Sequence, residues 1–174
     1  MGRHEGRDAE FTAYLQARQP SLLRMAYLLT GDRHQAEDIL QTSLAKLYLA
    51  WDKVIDRVSV DAYMRRTMVN ESNSLWRRAW KRKEYATEAL PESLRHDAYD
   101  EGRIAALWDV VTSLPPKARA VVVLRYYEQL SDAETADVLG ISVGTVKSHC
   151  SRAVAVLRDR LTADLHPGRP KEDR

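Results

Sequence analysis

The stretch ETADVLGISVGTVKSHCSRA, Glu134–Ala153, carries three residues whose spacing decides the fold: Ala136, Gly140 and Val146. Ser131 lies three residues before Glu134, the pattern of a capping box, so a short helix is expected from about Leu130 to Leu139. Gly140 then supplies a left-handed residue at the helix end, a conformation that a side chain would penalise by about 1 kcal/mol or more. Ser142 is placed to cap a second helix running to about Leu161. Ala136 has to be small because that second helix crosses close over it, and Val146 packs back into the angle. This is a helix-turn-helix. Its second helix leaves Thr145, Lys147, Ser148, His149, Ser151 and Arg152 for the outside. Short hydrogen-bonding groups and cations suit base edges and phosphates in a major groove. Between Ser142 and Arg160, Lys147, Arg152, Arg158 and Arg160 oppose only Asp159, which adds an electrostatic reason for DNA. An ordinary helical hairpin with a solvated polar face is the alternative, and it gives no reason for the small, glycine and valine positions to coincide.

Composition bounds the rest. A chain of 174 residues makes one ordinary domain or two small ones. Apolar residues are 44% of it, as in a folded protein, and no unbroken apolar run approaches the ~20 residues of a membrane helix, so no membrane partner is expected. MGRHEGRDAE is too polar for a signal peptide, and the single cysteine, Cys150, excludes an internal disulfide; both point to the cytoplasm. The net charge is only 27 − 25 = +2, so its distribution matters more than its sum.

Upstream, three more helical patterns appear. Phe11, Leu15, Leu22, Met25 and Leu29 keep helical spacing, with Pro20 expected to kink or restart the helix and Gly31 to end it. Asp32 and Gln35 read as the capping box of a second helix, whose stripe is Ala36, Ile39, Leu40, Leu44, Leu47 and Trp51, with Glu37, Asp38, Gln41 and Lys46 off it. After a loop at Asp52–Val58, Ser59 is expected to cap a third helix carrying Tyr63, Met64, Thr67, Met68 and Leu75. That helix ends in WRRAWKRK, Trp76–Lys83, five cations and two tryptophans in eight residues. Cations suit phosphates, and aromatics at i and i+4 offer stacking faces to unstacked bases, each worth ~1–3 kcal/mol. A solvated charge run with Trp76 or Trp80 in the core is the plainer reading.

The composition then changes. From Glu84 to Arg103 six acidic residues face Arg95 and Arg103, interrupted by Pro91 and Gly102 with few large apolar residues, so residues 86–102 read as an acidic linker. Beyond it Ile104, Leu107, Trp108, Val111 and Leu114 form a helix stopped by Pro115; Pro116 starts the next, in which Ala118, Val121, Val122, Leu124 and Tyr126 point inward. The β-branched VVVL leaves a strand open as an alternative there. The expected fold is all-α: two small helical domains, 1–85 and 103–165, joined by the linker, with a disordered tail at 166–174 and the helix-turn-helix in the second domain.

Other chemistries find no support. The histidines share no metal-ligand spacing with one another or with Cys150, no glycine-rich phosphate loop is present, and the carboxylates are scattered along helix faces. No metal, cofactor or catalytic residue is expected, and Cys150 reads as a small, part-buried filler.

With these elements placed, the chain resembles a sigma factor of bacterial RNA polymerase, of the compact extracytoplasmic-function type, and most of all the actinobacterial sigma-E family. AEDILQTSLAKLY (Ala36–Tyr48) resembles that family's polymerase-binding helix. AYMRRTMVNESNSLWRR (Ala62–Arg78) resembles its −10 helix, with Asn70 matching a family asparagine, and LPPKARAVVVLRYYEQLSDAETADVLGISVGTVKSHCSRA resembles its −35-binding region. The resemblance implies that Asp38 and Gln41 contact the β′ clamp helices of core RNA polymerase, whose β flap is a further partner. It also implies that the 52–59 loop, Asn70, Trp76, Arg77, Arg78, Trp80 and Lys81 take unstacked −10 bases and their phosphates. Lys147, Ser148, Ser151 and Arg152 fall where −35 contacts are made; His149 and Cys150 replace the usual arginine and a larger apolar residue. Promoter DNA is the implied ligand, and an anti-sigma protein a possible partner. The acidic linker would thread the RNA exit path and, fully extended, span ~50–60 Å. The rival reading is an ordinary regulator that uses the helix-turn-helix to bind a palindrome without acting as a polymerase subunit. The basic, tryptophan-bearing third helix argues against it.

Overall fold

The computed structural model describes residues 2–54, 57–85 and 110–165, with side chains for 6–54, 60–79 and 110–160. Helix α1 is Gly2–Thr30, α2 is Arg33–Ala50 with a 3-10 turn at Trp51–Lys53, and α3 is Arg57–Tyr85. After a helical stretch at 110–112 come α4, Pro116–Val122, a π-helical turn at Val123–Tyr127, α5, Asp132–Leu139, and α6, Val143–Leu165. Among the described residues there is no strand, so VVVL is helical. The expected linker and tail, and most of the helix at 104–114, lie outside the described residues.

Several local expectations hold for the reasons given. Gly31 ends α1 at φ 73°, and Asp32 Oδ1 accepts the Gln35 N–H at 2.8 Å, one half of the expected box. Ala36, Ile39, Leu40 and Leu47 are buried on α2; Ser43, between them, is buried too. Pro116 occupies the first turn of α4. Three expectations do not hold. Pro20 sits inside an unbroken α1: it is exposed, as is Gln16, whose carbonyl loses its helical donor, so water satisfies what the ring removes. α3 begins at Arg57, so Ser59 lies inside the helix rather than at its cap. Tyr126 points outward, 58% exposed, whereas Arg119 and Tyr127 turn inward. The cause is the π turn, where Glu128 N–H reaches Val123 O at 3.0 Å; one extra residue in the turn rotates all that follow.

The helices form an N-terminal unit, α1–α3, and a C-terminal unit, 110–165, that meet along a seam. Leu22, Met25, Leu29, Val60, Met64 and Met68 belong to the same buried cluster as Val111, Leu114, Val122, Leu124 and Leu130. Burial of apolar surface at ~25 cal/mol per Å² is the main force available to hold such a seam shut. Polar links cross it as well. Tyr127 Oη donates to Ser21 O at 3.2 Å, and Arg65 pairs with Glu128 at 3.3 Å, their side chains only 17% and 11% exposed.

Candidate nucleic-acid interface

The helix-turn-helix is built as its sequence requires. Ser131 N–H donates to Glu134 Oε2 at 2.7 Å while Glu134 N–H donates to Ser131 Oγ at 3.2 Å, closing the capping box. These bonds hold the Glu134 carboxyl below its ordinary value. Gly140 takes φ 64°, and Ser142 Oγ accepts the Thr145 N–H at 3.1 Å to start α6. Val121, Ala136 and Val146 form a small core under the turn, with Leu139, Ile141 and Cys150 packed on it. Cys150 is half-buried, as expected of a filler, and its Sγ lies 3.3 Å from Tyr126 Oη, a bond that pushes the phenol's pKa up.

Of the six residues expected outside on α6, Lys147, Ser151 and Arg152 are exposed, while Thr145, Ser148 and His149 are half-buried. The difference follows from their bonds. Thr145 Oγ1 is tied to the Ser142 cap at 2.8 Å, and Ser148 Oγ accepts from Arg152 one turn on. An open cleft beside this face is lined by Arg125, Tyr126, Lys147, Cys150, Ser151 and Arg158. Arg125 and Tyr126 were not anticipated there, because the π turn that aims them has no local sequence signature. Arg125 is anchored by Asp132 at 2.7 Å.

On α3, Asn70, Arg77 and Arg78 are exposed and Trp76 is 38% exposed; the side chains of Trp80 and Lys81, and residues 55–56 of the preceding loop, lie outside the described residues. Trp76 is not free. The guanidinium carbon of Arg119, from α4, stands 5.5 Å from its ring centroid. Arg119 itself is 4% exposed and donates to Leu29 O and Leu114 O, each at 3.1 Å, and to Thr112 O. Burial pulls its pKa down to about 10, so it remains charged at neutral pH. On α2, Asp38 and Gln41 are exposed off the apolar stripe, and Leu49 further along the helix is 80% exposed, an apolar group the sequence pattern did not flag. The two expected DNA faces and the docking face thus lie on three different helices, α6, α3 and α2.

The region 2 model of the sigma-70 family matches residues 6–82, and its region 4 model residues 104–157. The RNA polymerase sigma-E factor of Streptomyces coelicolor is 48% identical over 159 residues, covering 91% of this chain and 89% of that protein. The chain belongs to the extracytoplasmic-function sigma factors of the sigma-70 family. The sigma-E factor of Streptomyces avermitilis is 45% identical over 157 residues, 90% of this chain and 87% of that one. The fold of this sigma factor is also that of the sigma factor RpoE in its complex with the anti-sigma factor NepR from Bartonella quintana. That match has a TM-score of 0.74 at 23% identity and covers 89% of this chain and 98% of that one. Its relatives are transcription initiation factors, not enzymes. Among the described residues no group of His, Cys, Asp and Glu could hold a metal ion, and no helix is long and apolar enough to cross a membrane.

Proposed function

We propose that this sigma factor joins core RNA polymerase through α2, reads the −35 element as duplex with α6, and captures unstacked −10 bases with α3 and the loop before it. The observation that carries the reading is the capped turn at Gly140, which sets Lys147, Ser151 and Arg152 on the free face of a helix seated on its own small core. Arg152 is assigned to a base, since its planar fork can specify guanine, and Lys147 to phosphate, where a point charge suffices. Asp38 and Gln41 are assigned to the clamp helices of β′, with the β flap as the contact of the C-terminal unit. An anti-sigma protein belongs among its partners on the same reading.

The mechanism follows from what the chain lacks. No residue here draws energy from a nucleotide, so strand opening has to come from capture. Flipping a base costs a few kcal/mol, which stacking on Trp76 and Trp80, with Arg77, Arg78 and Lys81 on phosphates and Asn70 beside them, offsets while polymerase holds the flanking duplex. The test is transcription in vitro with purified core enzyme on a genomic library, mapping starts with and without the protein. New start sites that need it are expected. Tight palindrome binding without polymerase, and no new starts with it, would instead favour an ordinary regulator.

A further inference from the structure

Two helix ends at the seam share an unusual arrangement. α1 has no basic residue in its last turn, and neither has α5. The last carbonyls of a helix lack intrahelical donors and carry partial negative charge, so a cation belongs there. Each unit supplies it to the other. Arg119 of the C-terminal unit donates to Leu29 O at the end of α1, and Arg66 of the N-terminal unit donates to Asp137 O, in the last turn of α5, at 3.0 Å. Between them lies the Arg65–Glu128 pair, too enclosed for water to replace either partner cheaply. Arg65, Val69, Ser72 and Trp76 fall on one face of α3 at helical spacing; Val69 and Ser72 are buried, and Trp76 lies beneath Arg119. One more contact tightens the seam: a Cβ placed on Gly31 would stand 3.1 Å from Thr112 Cβ across it.

We infer that this seam is an autoinhibitory latch, in which the C-terminal unit occupies the Trp76 face of α3 in the free chain and docking on core polymerase releases it. The inference rests on the sigma-factor reading above. Two units in contact cannot sit on two elements more than one turn of DNA (~34 Å) apart, and a tryptophan covered by a guanidinium is not available to a base. The closed chain therefore holds its strand-capturing face shut while the −35 face of α6 stays open.

The test joins the units reversibly. Arg66→Cys and Asp137→Cys, in a Cys150→Ser background, are linked by a short bis-maleimide that a reductant cleaves. Promoter-directed transcription with core enzyme is expected to fall at least about tenfold in the linked protein and to return on cleavage, which separates closure from damage by the substitutions. Equal transcription before and after cleavage overturns the latch. If the Cys150→Ser parent itself gives no promoter-directed transcript, the sigma-factor reading fails and the inference with it. A second measurement needs no transcription. Small-angle scattering of the free chain should show expansion for Arg65→Glu or Glu128→Arg alone and a compact particle again for the two together. Unchanged scattering in both single variants contradicts the latch.

Discussion

α6 and α3 both carry cations toward nucleic acid, yet one is presented and the other is covered. Lys147, Ser151 and Arg152 on α6 reach solvent, whereas Arg65, Val69 and Trp76 on α3 lie against the C-terminal unit. The −35 face is completed by contacts within some twenty residues, so it is ready whenever the C-terminal unit is folded. The −10 face shares its helix with a seam, so its availability depends on where another part of the chain sits. Duplex DNA needs only a surface, while an unstacked strand needs a surface that has been vacated.

The substitution expected to disturb this contrast most is Arg119→Met. It keeps the bulk but leaves the carbonyls of Leu29, Thr112 and Leu114 without their donor, and it should destabilise the chain by about 3 kcal/mol, or roughly 6–12 °C in Tm. An unchanged melting curve would show that the buried guanidinium holds nothing together. The α6 side of the contrast is addressed by Arg152→Ala and Lys147→Ala. The first should lose about 1–3 kcal/mol of −35 binding with relaxed selectivity, the second should weaken binding evenly and flatten its salt dependence. Selectivity and salt slope measured on matched and mismatched duplexes distinguish them.

Two glycines sharpen the comparison further. Gly31 and Gly140 both have positive φ, 73° and 64°, so alanine at either should cost about 1–2 kcal/mol of strain. Only at Gly31 does the added Cβ press on the other unit; at Gly140 nothing lies within 4 Å. Gly31→Ala is expected to expand the free chain in scattering, and Gly140→Ala to leave its size unchanged. For docking, Asp38→Ala with Gln41→Ala should weaken binding to core enzyme without loss of helicity by circular dichroism, as both side chains are exposed. The smallest effect belongs to pH. The Ser131 hydroxyl and N–H lower the Glu134 pKa from 4.5, so this contribution to the start of α5 is full above about 4.5 and fades as pH falls through the lowered value. The Ser131 amide resonance should shift over that range, and Glu134→Gln should remove the shift.

What was legible in the sequence was local. Ser131, Glu134, Gly140 and Ser142 act within three or four residues of one another, so their spacing specified the helix-turn-helix in detail. The stripe Ala36–Ile39–Leu40–Leu47 was equally plain, since period alone places it. Tyr126 was misplaced because a π turn shifts register by one residue without any marker in the residue types. Pro20 was overweighted because its exposure could not be known. Arg65, Arg66 and Arg119 were unreadable as links, for their partners are Glu128, Asp137 and Leu29, 63, 71 and 90 residues away. Trp76 shows the limit most clearly: the sequence marked it as a stacking surface, and only the fold reveals what lies on it.

The central claim is that the chain reads duplex with a face that is always open and captures single strand with a face that polymerase uncovers. Fluorescence anisotropy on two oligonucleotides from one mapped promoter, the −35 duplex and the −10 non-template strand, tests it directly when run with and without core enzyme. The account predicts weak, salt-sensitive duplex binding by the free chain and strand binding that appears only with core enzyme. Strand binding by the free chain as tight as that of the holoenzyme would contradict it.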